Sequence, residues 1–301
     1  MYDLIIVGAG PAGITAAVYA ARKKINCLVL TKDIGGQAAW SADVENYTGY
    51  QFITGVELAK KFEEHIRQYD IPIHQEEEVI KLYKQDKAVI IETVKATYRA
   101  YTAIVASGKR SRELGVPGER QFLNRGVTYC ASCDGPLFAQ KDVVVIGGGN
   151  SALDAALQLV RFCNKVYILN NTDHLTGDEI AQEKLFKTAN ATVLNNTEVT
   201  AIEGEKFVSG IVFRQNNQKK YLSVQGVFIE IGLIPNSEFV QGVEKNSLGE
   251  IIVDCSNHTS VAGIFGAGDV TNVPEKQIII AAGEGAKASL SVFRYLNQHN
   301  L

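Results

Sequence analysis

The chain has 301 residues, of which 46% are hydrophobic and 21% charged, and a formal net charge of −3. That length accommodates two domains of ordinary size, and the composition excludes a disordered chain. The faintly acidic balance leaves no electrostatic footprint for nucleic acid or a membrane surface. Met1-Tyr2-Asp3 runs straight into apolar residues broken by glycine and proline, so no signal peptide or membrane span is expected, and the expected location is cytoplasmic.

Leu4-Ile5-Ile6-Val7 reads as a buried parallel strand. Gly8-Ala9-Gly10-Pro11-Ala12-Gly13 follows, then a helix to about Lys24 and a second strand, Cys27-Leu28-Val29-Leu30. This is a βαβ unit with glycines in its phosphate-binding turn. Gly8 suits the tight turn, Gly10 admits a pyrophosphate against the backbone, and Gly13 brings helix and strand together.

Gly115-Val116-Pro117-Gly118 is the first of two domain crossings. Next comes Cys130-Ala131-Ser132-Cys133-Asp134, a Cys-x-x-Cys pair with an acid directly after it. In a reducing compartment such a close pair is catalytic or metal-binding rather than structural. No second Cys-x-x-Cys exists and the five histidines are scattered, so no metal site is expected. Two thiols at this spacing can close and reopen a small disulfide, as redox cycling demands. Cys27, Cys163 and Cys255 lie in or beside apolar runs and read as buried small hydrophobes.

The βαβ plan then repeats. Val143-Val144-Val145-Ile146 is the strand, Gly147, Gly149 and Ala152 occupy the fingerprint positions, Ser151 to about Phe162 is the helix, and Val166-Tyr167-Ile168-Leu169 is the next strand. Gly232-Leu233-Ile234-Pro235-Asn236 marks the second crossing. An apolar strand ends in Gly266-Ala267-Gly268-Asp269, and a helix pattern runs from about Gln277 to Leu296. The expected fold is therefore α/β, with two Rossmann-like (FAD/NAD-type) nucleotide-binding domains, the second inserted into the first. Residues 1–112 and 238–301 form one domain, and residues 113–237, carrying the Cys-x-x-Cys, form the other.

With these motifs in order, the chain resembles the low-molecular-weight thioredoxin reductases over essentially its full length. It is equally similar to the flavoprotein component of alkyl hydroperoxide reductase without that protein's N-terminal extension. Gly35-Gly36-Gln37, Glu45-Asn46-Tyr47, Ala106-Ser107-Gly108, Lys276-Gln277 and the tail Gly283-Glu284-Gly285-Ala286-Lys287 add to the match. The resemblance implies FAD at the first site, cradled by Gly8, Gly10 and Gly13. Gln37, Asn46, Gly268, Asp269, Lys276 and Gln277 would line the cofactor, with the last helix aiming its positive end at the flavin. It implies a nicotinamide-type site at Gly147, Gly149, Ala152 and Asn170. It makes Cys133 the sulfur nearer the flavin, Cys130 the one that attacks the partner disulfide, and Asp134 the acid that protonates the leaving thiolate, a role that a raised pKa suits. A rotation of the inserted domain and a homodimer are further implications, and the partner is a thioredoxin or glutaredoxin-like protein.

The electron donor departs from the family pattern. NADPH-dependent members carry arginines just after the second strand of the inserted domain, where they hold the 2′-phosphate. This chain has Asn170-Asn171-Thr172 and Thr176 there, and no Arg or Lys between Lys165 and Lys184. NADPH is the least supported donor. NADH, selected through Asn170 or Asp173, and ferredoxin both remain open. The alternative functions are an NADH-dependent peroxiredoxin-reductase flavoprotein, a flavin NADH oxidase with a vestigial dithiol, a ferredoxin–NADP reductase and a non-catalytic nucleotide sensor. The intact Cys130/Cys133 pair counts against the last three.

Overall fold

The structure is a computed structural model; it describes residues 1–40, 43–44 and 46–301, and the side chains of all of these except Trp40, Asp43 and Cys133. Glu45 and the Cys133 side chain, both singled out above, thus lie outside the described set. The described residues form helices α1 (Pro11–Arg22), α2 (Gly55–Ile66), α3 (Ala131–Asp134), α4 (Asn150–Leu159), α5 (Glu179–Phe186) and α6 (Ile278–Gln298). Among the described residues no helix is long and apolar enough to cross a membrane. The chain divides into two compact units, Met1–Arg110 with Ile234–Leu301, and Ser111–Leu233. Both boundaries lie earlier in the chain than those read from the sequence, the first by two residues and the second by four.

In the first unit, strand Tyr2–Ala9 pairs in parallel with Cys27–Ile34 on one side and Thr97–Val105 on the other. Thr97–Val105 has a split outer edge. Its first half pairs antiparallel with Ala88–Thr93, which continues to Val79–Gln85, and its second half pairs in parallel with Ile264–Gly266. The C-terminal segment thereby completes the sheet begun at the N-terminus. Alternate residues of the first strand face different cores, as the two-residue period requires. Leu4 and Ile6 pack with α1 and α6, while Ile5 and Val7 pack under the antiparallel strands. All of Leu4, Ile5 and Ile6 are fully buried, which explains the unbroken apolar run.

The second unit repeats the logic. Five parallel strands lie in the order Val127–Thr128, Gly226–Ile229, Asp142–Ile146, Lys165–Leu169, Ala191–Leu194. Val143 and Val145 pack on α4, whereas Val144 and Ile146 face a three-stranded antiparallel sheet of Thr197–Gly204, Val208–Gln215 and Gln218–Ser223. The two crossing segments, Lys109–Ser111 and Leu233–Pro235, pair with each other. Within the first unit Asn236 exchanges hydrogen bonds with Ser107, its Nδ2 donating to Ser107 O at 2.9 Å and its own carbonyl accepting from Ser107 Oγ at 2.6 Å.

Cys255 corrects one expectation. Cys27 and Cys163 are buried, but Cys255 is exposed. It sits in a turn that closes through Asn257 N to Asp254 O, 3.0 Å, and Ser256 N to Asp254 Oδ1, 2.8 Å. A turn fixed by an aspartate at its start directs the following side chain to solvent.

Candidate functional site

A cavity of about 730 Å³ opens in the first unit. Its lining includes Gly8, Gly10, Gln37, Asn46, Gly268, Asp269, Lys276 and Gln277. Gly13 lies one step behind the wall. A Cβ on Gly13 would meet Gly8 O at 1.9 Å, so its bare backbone lets α1 seat against the turn. Gly8 has φ +104°, and its added Cβ would strike Ala106 O at 2.4 Å. Gly10 is different. Its φ of −77° suits any residue, and a Cβ there would find nothing nearer than 4.0 Å. The fold itself does not require glycine at position 10; a molecule lying against the turn would.

The helix ends supply the electrostatics. α2 is closed by a capping box, with Thr54 and Glu57 bonding reciprocally, and α5 by Asp178, whose carboxylate accepts from Ile180 N and Ala181 N. α1, α4 and α6 carry no side-chain cap. These three begin at Gly10, Gly149 and Gln277, the positions the sequence marks for nucleotides. Two of them, α1 and α6, open into the cavity, where their first-turn N–H groups and partial positive charge favour anionic oxygen.

Polar residues hold the cavity wall in place. Gln37 Nε2 donates to Lys109 O at 2.6 Å, and Asn46 Nδ2 to Gln277 Oε1 at 2.9 Å. Glu250, which the sequence did not mark, receives Lys109 Nζ at 2.9 Å and Lys276 Nζ at 3.0 Å. Burial opposes ionisation of Glu250, but hydrogen bonds from Asn246, Lys109 and Lys276 outweigh it and hold the carboxyl at about 2. Burial pushes Asp269 up, against the pull of Lys276 and Lys109. A cavity of this size, with a glycine face open at Gly10, two uncapped helix N-termini and lysines in its wall, fits an FAD-sized dianion.

In the second unit, α3 carries the redox motif. Cys130 is disulfide-bonded. Its N–H donates to Thr128 Oγ1 at 3.1 Å, and the same hydroxyl donates to Asp134 Oδ2 at 2.5 Å. Thr128 thus ties the acid to the cysteine backbone from strand Val127–Thr128. Ser132 Oγ donates to Gln158 Oε1 on α4 at 2.9 Å. No sequence signal marked Thr128, which lies outside the Cys-x-x-Cys-Asp motif.

The second glycine turn is built like the first. Gly147 has φ +139°, and a Cβ there would meet Glu230 O at 2.1 Å. Gly149 is open, its nearest neighbour being Thr176 Oγ1 at 3.9 Å. Ala152 is buried behind the turn. The segment after strand Lys165–Leu169 folds back over this turn, with Thr176 N and Gly177 N donating to Gly148 O at 2.8 and 3.1 Å. Asn170 is buried, and its Nδ2 donates to His174 O and Asn195 Oδ1, while its Oδ1 accepts from Thr172 Oγ1 at 3.0 Å and lies beside Gly148. Asn170 therefore shapes the loop. Asp173, by contrast, is exposed and contacts His174 Nδ1 at 2.5 Å. Burial pushes Glu230 up to about 8, with Asp154 adding to the effect.

Comparison with known proteins agrees with this geometry. Residues 2–285 match the family described as pyridine nucleotide-disulphide oxidoreductase. An NADH dehydrogenase of Bacillus subtilis is 43% identical over 298 residues, which is 98% of this chain and 58% of that protein. A component of the alkyl hydroperoxide reductase of Pseudomonas aeruginosa is 43% identical over 303 residues, again 98% of this chain and 58% of that protein. The chain thus spans rather more than half the length of these relatives. The thioredoxin reductase of Lactococcus lactis, solved in its FR conformation, superposes with a TM-score of 0.91 at 34% identity, covering 99% of this chain and all of that one. Fold and glycine turns are those of a thioredoxin-reductase-like Rossmann architecture, and the chain belongs to the pyridine nucleotide-disulphide oxidoreductase family.

Proposed function

We propose that the protein is an FAD-dependent disulfide reductase that draws electrons from NADH and delivers them through Cys130 and Cys133 to a disulfide partner of thioredoxin type. The observation that carries this reading is the pairing, in one chain, of a cavity fitted to FAD with a Cys-x-x-Cys-Asp motif whose acid is tethered beside the cysteine backbone by Thr128. Gly8, Gly10 and Gly13 with the N-terminus of α1 would hold the pyrophosphate. Gln37, Asn46, Gly268, Asp269, Lys276 and Gln277 would line the rest of the cofactor. FAD supplies the two-electron relay between a hydride donor and a disulfide.

The chain's own residues do the thiol chemistry. With the pair reduced, the Cys130 thiolate attacks one sulfur of the partner's disulfide and expels the other. Cys133 then closes on Cys130, and the partner leaves as a dithiol. Asp134, held by Thr128, gives a proton to the departing thiolate. The paired crossing segments supply the hinge for the movement between units that this relay needs.

NADH is favoured over NADPH by charge. The loop after strand Lys165–Leu169 offers the exposed Asp173 carboxylate and no arginine, a poor setting for a 2′-phosphate. The relative named NADH dehydrogenase matches 98% of the chain and points the same way. The test is anaerobic reduction of the purified protein, followed at the flavin band, with NADH, NADPH and reduced ferredoxin in separate runs. Rapid bleaching by NADH is expected. Bleaching by ferredoxin alone would overturn the nicotinamide part of the proposal, and the absence of bound flavin would overturn all of it.

A further inference from the structure

Two lysines enter the cavity wall from distant parts of the chain, and one carboxylate holds both. Lys109 and Lys276 line the cavity, with side chains only 12% and 23% exposed. Glu250 sits behind them with a side chain 9% exposed. Its Oε1 accepts from both ammonium groups, and its Oε2 accepts from Asn246 Nδ2 at 2.7 Å. Asn246 Oδ1 in turn accepts from Glu250 N at 3.0 Å, so the carboxylate cannot swing away without breaking a closed set of bonds.

The two lysines are not equivalent. Lys276 Nζ also donates to Thr271 O at 2.5 Å and Asp269 O at 3.3 Å, which with Glu250 uses all three of its protons. Lys109 Nζ has Glu250 as its acceptor among the described residues, so it keeps donors for a molecule in the cavity. Its main-chain carbonyl is fixed by Gln37, which roots the side chain at the wall.

We propose that Lys109 is a further cofactor-contacting residue that sets the reduction potential of the flavin, and that Glu250 is the positioning residue that aims it. This rests on the reading of the cavity as an FAD site. An ammonium group at the isoalloxazine end favours the negative charge gained on reduction, so it raises the potential. Glu250 is held ionised by its partners, so its negative charge works against the two lysines and tempers the effect.

The experiment measures the two-electron potential of the bound flavin against reference dyes in wild type, Lys109→Met, Lys109→Arg and Glu250→Gln. Lys109→Met is expected to lower the potential, shifting the equilibrium with a dye about tenfold, or about 30 mV. Lys109→Arg keeps the wild-type potential. Glu250→Gln removes a negative charge and raises the potential. Opposite signs distinguish charge from packing, since two variants that only loosened the wall would move the potential the same way. A potential unchanged in Lys109→Met, or shifts of the same sign in Lys109→Met and Glu250→Gln, would overturn the proposal while flavin is still bound. Wild-type protein that holds no flavin would instead overturn the reading beneath it.

Discussion

Replacing Gly285 by alanine tests how α6 and α1 build the cavity. A Cβ at position 285 would lie 2.0 Å from Ala12 O, 2.8 Å from Ala12 C and 3.0 Å from Ala12 Cα. All three are backbone atoms in the first turn of α1, so no rotamer relieves the clash. Carbon contacts settle near 3.5–4.0 Å, so the helices must part by more than about 1 Å. Overpacking of this kind costs about 1–3 kcal/mol. Gly283, on the same helix, is the control, because a Cβ there meets nothing within 4 Å and the position is exposed. Alanine at 283 gains about 0.5–1 kcal/mol from helix propensity. Urea unfolding of the two variants should therefore separate them by about 1.5–4 kcal/mol, with Gly285→Ala below wild type and Gly283→Ala above it. Gly285→Ala should also weaken FAD retention, because Ala12 lines the cavity. Equal stability of the two variants would refute the close α1–α6 packing.

The remaining predictions address the turns, the redox motif and pH. Gly10→Ala should leave stability within about 1 kcal/mol of wild type, since the protein leaves room for the methyl, yet reduce FAD affinity in a titration of the apoprotein; Gly13→Ala, striking Gly8 O, should unfold at clearly lower urea. Thr128→Val removes both the Cys130 N–H acceptor and the Asp134 donor, and turnover with a thioredoxin-type disulfide should fall about tenfold, the equivalent of about 1.4 kcal/mol, while flavin reduction by NADH is unaffected. Glu230 is raised to about 8 by burial and by Asp154. The folded state therefore holds this proton where the unfolded state has lost it, and stability declines as pH rises from about 4.5 through about 8. Glu230→Gln should flatten that decline and be more stable than wild type at pH 9 by a few kcal/mol at most, read from thermal unfolding across the pH range.

The parts of the fold legible in the sequence were those with a local cause. Leu4–Val7 and Val143–Ile146 are buried on both faces and so appear as unbroken apolar runs, and Gly8 and Gly147 directly after them mark turns that a Cβ would block. Helix α4 begins one residue earlier and ends at Leu159 rather than Phe162, because the chain tightens there into a turn, with Arg161 N donating to Gln158 O and Phe162 N to Leu159 O. The antiparallel strands at 79–105 and 197–223 were not read. Most of them mix polar and apolar residues, and their pairing is set by partners elsewhere in the sheet. Lys109 and Glu250 escaped for a different reason: they stand 141 residues apart and carry no motif, so only the folded sheet brings them together. Asn170 was placed at the strand end by spacing, but its inward side chain and its bonds to Thr172, His174 and Asn195 follow from the loop that closes over Gly148.

The most direct test of the central claim is a count of the reducing equivalents the protein takes up. The purified flavoprotein would be titrated anaerobically with NADH until the flavin is fully bleached, alongside a Cys130→Ser variant. If electrons pass from the flavin to the dithiol, the wild type accepts twice what the flavin alone can hold, and Cys130→Ser accepts half as much as wild type. Equal uptake by the two proteins would show that the cysteine pair takes no electrons from the flavin, and would contradict the account.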